Sequence, residues 1–229
     1  MNNNCEFKNP NLRSSELTNG LLRCGQRALL YANGMDEEDM KKPFVAVINS
    51  FSEMVPGHMH LRELAEQVKN GIWEAGGVPR ETGTICICDG LCQGHNGMRY
   101  PLPSRDLIAD SIEMVVEAHH FDAMVLLAGC DKIIPGMLMA AARLDIPCIF
   151  LAGGCMLGGQ SFGGKRKSDS TSIEEAYGMY QVGKIDHDVL EDITELCCPT
   201  VGSCQHMATA NSMCCMAEAL GLSLPGSAA

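Results

Sequence analysis

The chain has 229 residues, of which 46% are hydrophobic, so it is long enough to bury a substantial core. Its formal net charge of −11 at pH 7 excludes the dense positive charge that binding to nucleic acid phosphates requires. Its apolar runs all fall well short of the ~18 residues of a membrane span, so we expect neither nucleic acid nor a membrane as a partner.

Cysteine is unusually abundant, with 13 residues, an odd number. The first residues, "MNNNCEFKNPNLRSSE", lack the apolar stretch of a secretory signal. Together these features predict a reducing, cytoplasmic location rather than a disulfide framework. Most of the thiols are expected to be small apolar filler, and a minority are candidates for metal ligands.

The chain divides into a predicted N-terminal arm, residues 1–42, and a predicted α/β domain, residues 43–229. The arm is polar and irregular, with one helical stretch near residues 21–32. Apolar runs of strand length follow at 44–48, 84–88, 124–128 and 148–152. Their nearly continuous apolar character is typical of parallel strands that are covered on both faces.

Helical patterns alternate with these runs. Apolar residues recur at helical spacing from Leu61 to Ile72, before Gly76 and Gly77. A second pattern follows Ser104, a predicted N-cap, and a third has Pro135 in its first turn. The alternation predicts an open, mostly parallel sheet flanked by helices.

The remainder of the chain is predicted to be a loop followed by helices. Residues 153–167 are rich in glycine and basic residues, but their spacing matches no phosphate-binding loop. Residues 172–194 read as acidic and helical, and a last helix spans about 207–220. The terminal turn signal at 225–227 predicts a further element, so we expect a fragment of a longer protein.

Polar residues follow the predicted strands, where open α/β sheets bind ligands. Asp89 follows the second run, and Cys130, Asp131 and Lys132 follow the third. Cys204 lies in a polar turn before the last helix, whose N-terminus is expected to favour a thiolate. The histidines after the first run, at 58 and 60, are expected to be hydrogen-bonded turn residues rather than ligands.

These side chains separate into two ligand types. The thiols of Cys130 and Cys204 suit an iron–sulfur cluster or zinc, whereas the carboxylates of Asp89 and Asp131 suit Mg²⁺. Simpler interpretations stay open at each position: a surface ion pair between Asp131 and Lys132, an ordinary turn at Asp89, and an inert thiol at Cys204. The residues alone therefore support a metal-dependent α/β enzyme.

Longer motifs carry a specific resemblance. They read "VINSFSEMVPGHMHLREL", "CDGLCQGHNGMRYPLPSRDLIADSIE", "GCDKIIPGMLMAAARLDIP" and "CPTVGSCQHMATANSMCCMAEALGLSLPGSA". The chain, over about residues 40–229, closely resembles the N-terminal portion of the dihydroxy-acid dehydratase and phosphogluconate dehydratase family. Members of that family continue into a second, β-rich domain.

The resemblance implies a hydro-lyase that converts a small 2,3-dihydroxy acid to a 2-oxo acid with an iron–sulfur cluster and Mg²⁺. It implies that Cys130 and Cys204 are cluster ligands and that Asp89 and Asp131 bind Mg²⁺. Lys132 is then the lysine that family members carry as a carbamate, a further Mg²⁺ ligand. The serine base and another carboxylate ligand lie downstream in the family, so the 229 residues alone are expected to be inactive.

One departure concerns the cluster. Some members have a third cysteine ligand where this chain has Gly57, followed by His58. The "PGH" form occurs in the branch with a [4Fe–4S] cluster, which we therefore favour over [2Fe–2S]. The third protein ligand is left open, with Cys88 and Cys92 as nearby thiols.

The motif "VPGHMHLREL" favours dihydroxy-acid dehydratase, and hence 2,3-dihydroxy-3-methylbutanoate and its homologue in branched-chain amino acid biosynthesis. The alternatives are a sugar-acid dehydratase of the same family and a non-catalytic iron–sulfur-binding module. The resemblance also implies a homodimer for the full-length protein.

Overall fold

A four-stranded parallel sheet forms the centre of the computed structural model, which describes residues 8–161, 164 and 166–228. Its strands are β1 (Phe44–Asn49), β2 (Val78–Gly83), β3 (Ala123–Ala128) and β4 (Cys148–Ala152), in the order β2-β1-β3-β4. A small antiparallel pair, β5 (Gly159–Ser161) and β6 (Arg166–Ser168), follows. The predicted α/β class with a parallel sheet is confirmed.

Helices connect and cover the strands. They are α1 (Ser15–Thr18), α2 (Cys24–Ala32), α3 (Leu61–Glu74), α4 (Asp89–Cys92), α5 (Pro101–Ala118), α6 (Ile133–Leu144), α7 (Ser172–Gln181), α8 (His187–Leu196) and α9 (Thr209–Ala219). Short 3-10 turns lie at Leu21–Arg23, Asp39–Lys41 and Asn96–Arg99. No helix within the described part of the chain is long and apolar enough to cross a membrane.

Both faces of the sheet are covered, as the apolar runs predicted. Ile48 and Leu126 face the larger core, which includes Ile108 of α5. Val47 and Leu127, one residue along each strand, face the opposite side and pack with α3. Because successive side chains in a strand point to opposite faces, continuous burial requires cover on both sides. The strands therefore expose ligand-binding groups only at their ends.

The prediction of a strand at 84–88 is wrong. The second strand is β2, which ends at Gly83, and residues 84–88 form an irregular segment that leads to Asp89. β2 lies at the edge of the sheet, where the missing N–H of Pro79 and the exposed Glu81 are tolerated. An edge strand needs no continuous apolar run, so its sequence gave a weak signal.

Two further predictions need correction. Ser104 does not cap α5, because the helix begins at Pro101; the Ser104 hydroxyl donates a hydrogen bond to the Pro101 carbonyl, 2.6 Å away. The predicted loop at 153–167 includes β5 and the start of β6, with residues 162, 163 and 165 outside the described part. The acidic helical region at 172–194 is divided between α7 and α8.

Candidate metal and cluster site

Lys132 joins the two predicted carboxylates at the carboxyl end of the sheet. Its Nζ donates to Asp89 Oδ2 at 2.8 Å and to Asp131 Oδ2 at 2.5 Å. Asp89 begins α4, and Lys132 precedes α6, so the end of β3 and the segment after β2 supply the three side chains. All three are partly buried, which disfavours the alternative of a loose surface ion pair.

The two carboxyl groups have opposite pKa shifts. Burial raises the pKa of Asp89 above its usual range. Burial also opposes ionisation of Asp131, but hydrogen bonds from Lys132 and Thr209 outweigh it and lower the pKa of that group. Burial disfavours the Lys132 ammonium, yet its hydrogen bonds to both carboxylates raise the Lys132 pKa. The site therefore holds one positive charge between two acidic groups.

Asp89 has a second oxygen that this ion pair does not use. Its Oδ1 is buried and has no hydrogen-bond partner among the described residues. A buried oxygen without a donor carries a desolvation penalty, which a bound cation relieves. Unpaired carboxylate oxygens are ligands that Mg²⁺ prefers, so this half of the site fits Mg²⁺.

Thiols form the other half of the site. Cys130 is 8% exposed, and its thiol is hydrogen-bonded to the sulfur of Cys88. That hydrogen bond, with support from the backbone N–H groups of Leu91 and Gly90, lowers the pKa of Cys88 to about 6. The same hydrogen bond and burial raise the pKa of Cys130. The two thiols thus influence each other's ionisation in opposite directions.

The turn after β1 packs tightly against Cys130. An added Cβ at Gly57 would lie 2.9 Å from Cys130 Sγ, and one at Gly129 would lie 2.3 Å from the Gly57 carbonyl oxygen. The Gly129 position therefore requires glycine, because the backbone of Gly57 leaves no room for a side chain. His58 is fully buried behind this contact: its Nδ1 lies 2.7 Å from the Ser50 carbonyl, and its Nε2 accepts from the Gly129 N–H at 3.3 Å.

His58 and His60 are hydrogen-bonded turn residues, as predicted. His60 Nε2 lies 2.6 Å from the Gly153 carbonyl oxygen. Burial lowers the pKa of His58 to about 4, so its ring is neutral and its two nitrogens have fixed roles. His58 therefore couples the turn after β1 to the turn that carries Cys130.

Cys204 reaches the site through backbone pairing. Ser203 pairs with Cys155, just beyond β4, and the Gly202 N–H donates to the Pro56 carbonyl at 3.0 Å. The Cα of Ser203 lies 3.4 Å from the same hypothetical Gly57 Cβ that contacts Cys130. Cys204 is near enough to Cys130 and Cys88 for their charges to interact.

The predicted helix N-terminus at Cys204 is wrong. The last helix, α9, begins five residues later, at Thr209. Burial, together with the neighbouring Cys88, raises the pKa of Cys204 instead of lowering it. The N-terminus of α9 contacts the carboxylate half of the site instead, because the Thr209 side chain hydrogen-bonds to Asp131.

The structure thus brings the five predicted residues to one edge of the sheet. No three His, Cys, Asp or Glu side chains of the described residues converge on a single ion. The geometry favours two neighbouring sites, one of thiols and one of carboxylates. Sequence reasoning left Cys88 unassigned and missed Thr209. The adjacency of Cys88 to Asp89 was the available signal for the first, and nothing in the spacing indicated the second.

Comparisons with known proteins agree with this architecture. Residues 42–229 match the family model described as "Dihydroxy-acid/6-phosphogluconate dehydratase N-terminal". The chain is 54% identical over 212 residues to a "Dihydroxy-acid dehydratase" of Methanococcus maripaludis, covering 93% of this chain and 38% of that relative. It is 54% identical over 217 residues to "Dihydroxy-acid dehydratase 1" of Methanosarcina acetivorans, covering 95% of this chain and 39% of the relative.

A third relative gives the same result. A "Dihydroxy-acid dehydratase" of Halothermothrix orenii is 51% identical over 213 residues, with 93% of this chain and 38% of the relative covered. The chain thus spans well under half the length of these curated relatives. Because the family model matches residues 42–229, well over half of the chain, the chain belongs to the dihydroxy-acid/6-phosphogluconate dehydratase family and corresponds to its N-terminal domain.

Proposed function

We propose that this chain is the metal- and cluster-binding part of a dehydratase that converts a 2,3-dihydroxy acid to a 2-oxo acid with loss of water. Relatives named dihydroxy-acid dehydratase, at 51–54% identity, support this activity. The observation that carries the proposal is the contact of Lys132 with Asp89 and Asp131 directly beside the thiol of Cys130. A protein that only stored a cluster would not need oxygen ligands there.

The donor set suits two different metals. Cys130 and Cys204 would hold an iron–sulfur cluster, because thiolates are the ligands that such clusters use. The proposed cluster is of the [4Fe–4S] type. Asp89 and Asp131 would hold Mg²⁺, together with a carbamate on Lys132. When bound, the two metals supply Lewis acidity toward neighbouring hydroxyl groups of one substrate.

The protein's own groups prepare this site. A carbamate forms when the neutral amine of Lys132 adds to CO₂ and loses a proton, which converts a nitrogen donor into oxygen ligands. The ammonium form, which the two carboxylates stabilise, must lose its proton first. The soft thiols and the hard carboxylates suit different metals, which favours two separate sites over one mixed site.

The proposed substrate is 2,3-dihydroxy-3-methylbutanoate and its homologue, in branched-chain amino acid biosynthesis. We also propose that the whole protein is a cytoplasmic homodimer. The relatives' names support the substrate class.

An anaerobic assay of the whole reading frame that encodes these residues tests the function. The purified protein is offered dihydroxyisovalerate, gluconate, arabinonate and phosphogluconate, and 2-oxo acid formation is measured. We expect the highest kcat/KM with dihydroxyisovalerate. Preference for a sugar acid would move the substrate to another branch of the family, and no turnover with any of them would refute the dehydratase.

A further inference from the structure

Two Cys-Asp dipeptides lie side by side at the carboxyl end of the sheet. One is Cys88-Asp89, at the start of α4, and the other is Cys130-Asp131, after β3. The thiols of the two dipeptides are hydrogen-bonded to each other, and the carboxylates are bridged by Lys132. Each dipeptide therefore contributes one sulfur to the thiol half of the site and one carboxylate to the carboxylate half.

The backbone explains this separation. Cys88 is extended, with φ −89° and ψ 115°, so its side chain and that of Asp89 point in different directions. The sulfur of Cys88 lies over the start of α4, 3.8 Å from a Cβ added at Gly90, where it accepts from the backbone N–H groups of Leu91 and Gly90. Cys92, the other nearby thiol, lies instead beside the turn at Gly97, where an added Cβ would be 3.5 Å from its Sγ.

The turn after β1 cannot provide a third sulfur. Gly57 lies between Cys130 Sγ and the backbone preceding Cys204, but glycine has no side chain to donate. With Cys130 and Cys204 alone, half of the irons of a [4Fe–4S] cluster would lack a protein ligand. Cys88 packs against the core cluster that contains Cys130, and Lys132 ties the adjacent Asp89 and Asp131 together, so Cys88 lies beside Cys130.

From this pairing we infer that Cys88 is the third thiolate ligand of the iron–sulfur cluster, alongside Cys130 and Cys204. Three thiolates leave one iron of a [4Fe–4S] cluster free to meet a substrate. A cluster contains several irons, and each thiolate binds a different one, so the three sulfurs need not converge on one point. The inference rests on the proposed function, because it assumes that this site holds a cluster.

Anaerobic isolation of the whole protein and four variants tests the assignment. Iron and acid-labile sulfide per chain are measured, with electron paramagnetic resonance of the reduced protein. We expect Cys88→Ala and Cys130→Ala to retain less than about half of the wild-type iron and sulfide, because each loses a ligand. Cys92→Ala and Cys215→Ala, the latter an exposed thiol on α9, should retain the wild-type content and spectrum.

Cys88→Ser distinguishes ligation from a folding defect. Serine preserves the size of the side chain and its contacts with the backbone N–H groups, so we expect native circular dichroism with a shifted resonance spectrum. A wild-type spectrum and iron content in both Cys88 variants would overturn the inference. Loss of the cluster in Cys92→Ala, with retention in Cys88→Ala, would overturn it in favour of Cys92. Absence of iron and sulfide from the wild-type protein would instead refute the proposed function.

Discussion

At the scale of single residues, Lys132 stands where a cation is required. Its ammonium pairs with both Asp89 and Asp131, yet Asp89 Oδ1 is left buried without a partner among the described residues. The ammonium carries one positive charge and three donors, whereas Mg²⁺ carries two charges and binds six oxygens. The arrangement is therefore better matched to a metal than to the lysine alone.

Asp89→Asn tests this interpretation. The variant keeps the shape of the side chain but removes its charge, so we expect Mg²⁺ affinity to fall by about tenfold or more. Calorimetric titration of the anaerobic protein with Mg²⁺ measures the change. Asp106→Asn, on the exposed face of α5, is the matched control and should bind Mg²⁺ like the wild type. Equal affinities in both variants would remove Asp89 from the metal site.

His58 makes stability depend on pH. Its pKa is lowered by burial from 6.5 to about 4, so the folded chain binds fewer protons than the unfolded chain between these values. The stability due to neutral His58 is complete above pH 6.5 and declines as the pH falls through 6.5 toward 4. The total loss is about 3 kcal/mol.

Denaturant unfolding at a series of pH values measures this decline. In His58→Gln we expect lower stability at pH 7, since the buried bridge to Gly129 is altered, but a flatter slope between pH 6.5 and 4. His119→Gln, an exposed site at the end of α5, should keep the wild-type slope. An unchanged slope in His58→Gln would show that other groups govern the acid response.

At the scale of elements, the turn after β3 depends on close backbone contact. Gly129→Ala places a Cβ 2.3 Å from the Gly57 carbonyl, which is backbone and must move. We expect the free energy of unfolding to fall by about 1–3 kcal/mol. Gly25→Ala in α2 meets nothing within 4 Å and should be neutral or stabilising by up to about 1 kcal/mol. Equal effects of the two substitutions in urea titrations would contradict the packing described.

Asp122, just before β3, fastens the N-terminal arm to the sheet. Its carboxylate accepts from the Ser14 N–H at 3.0 Å, from the Ser14 hydroxyl, and from the Phe44 N–H at 2.7 Å. Asp122→Ala leaves these donors without a partner, so we expect a loss of about 2–4 kcal/mol and faster proteolysis within residues 8–42. Asp106→Ala should change neither quantity. Wild-type protease resistance in Asp122→Ala would mean that other contacts hold the arm.

The sequence predicted the elements that are buried on both faces. The runs that became β1, β3 and β4 are apolar because helices cover them, and their pattern is therefore strong. β2 was missed because an edge strand accepts Pro79 and charged residues, and the apolar residues 84–88 were mistaken for it. Apolar residues indicate burial and not strand structure, because an irregular segment that packs on the core is apolar too.

Sequence reasoning found the candidate residues that directly follow the predicted strands. The rule for open sheets gave Asp89, Asp131 and Lys132, since all three follow the predicted runs directly. Cys204 was selected from its polar turn, but its approach to Cys130 depends on backbone pairing with the segment after β4, which no local pattern encodes. Cys88 was left open for the same reason: its contact with Cys130 joins segments 42 positions apart (130 − 88) in the sequence.

At the scale of the whole molecule, the topology accounts for the meeting of the two halves. β1 and β3 are neighbours in a parallel sheet, so the turns that follow them emerge at the same edge. The segment after β2 and the chain beyond β4 reach this edge from either side. Thiols and carboxylates from three separate parts of the sequence, at 88–89, 130–131 and 204, are therefore gathered at this edge.

The most direct test of this account is anomalous X-ray diffraction at the iron absorption edge. Crystals of the anaerobically purified whole protein, grown with Mg²⁺, would be measured above and below the edge. We predict an iron signal in contact with the sulfurs of Cys130 and Cys204, and Mg²⁺ density at Asp89 and Asp131. Iron located elsewhere, or zinc alone at these thiols, would contradict the account.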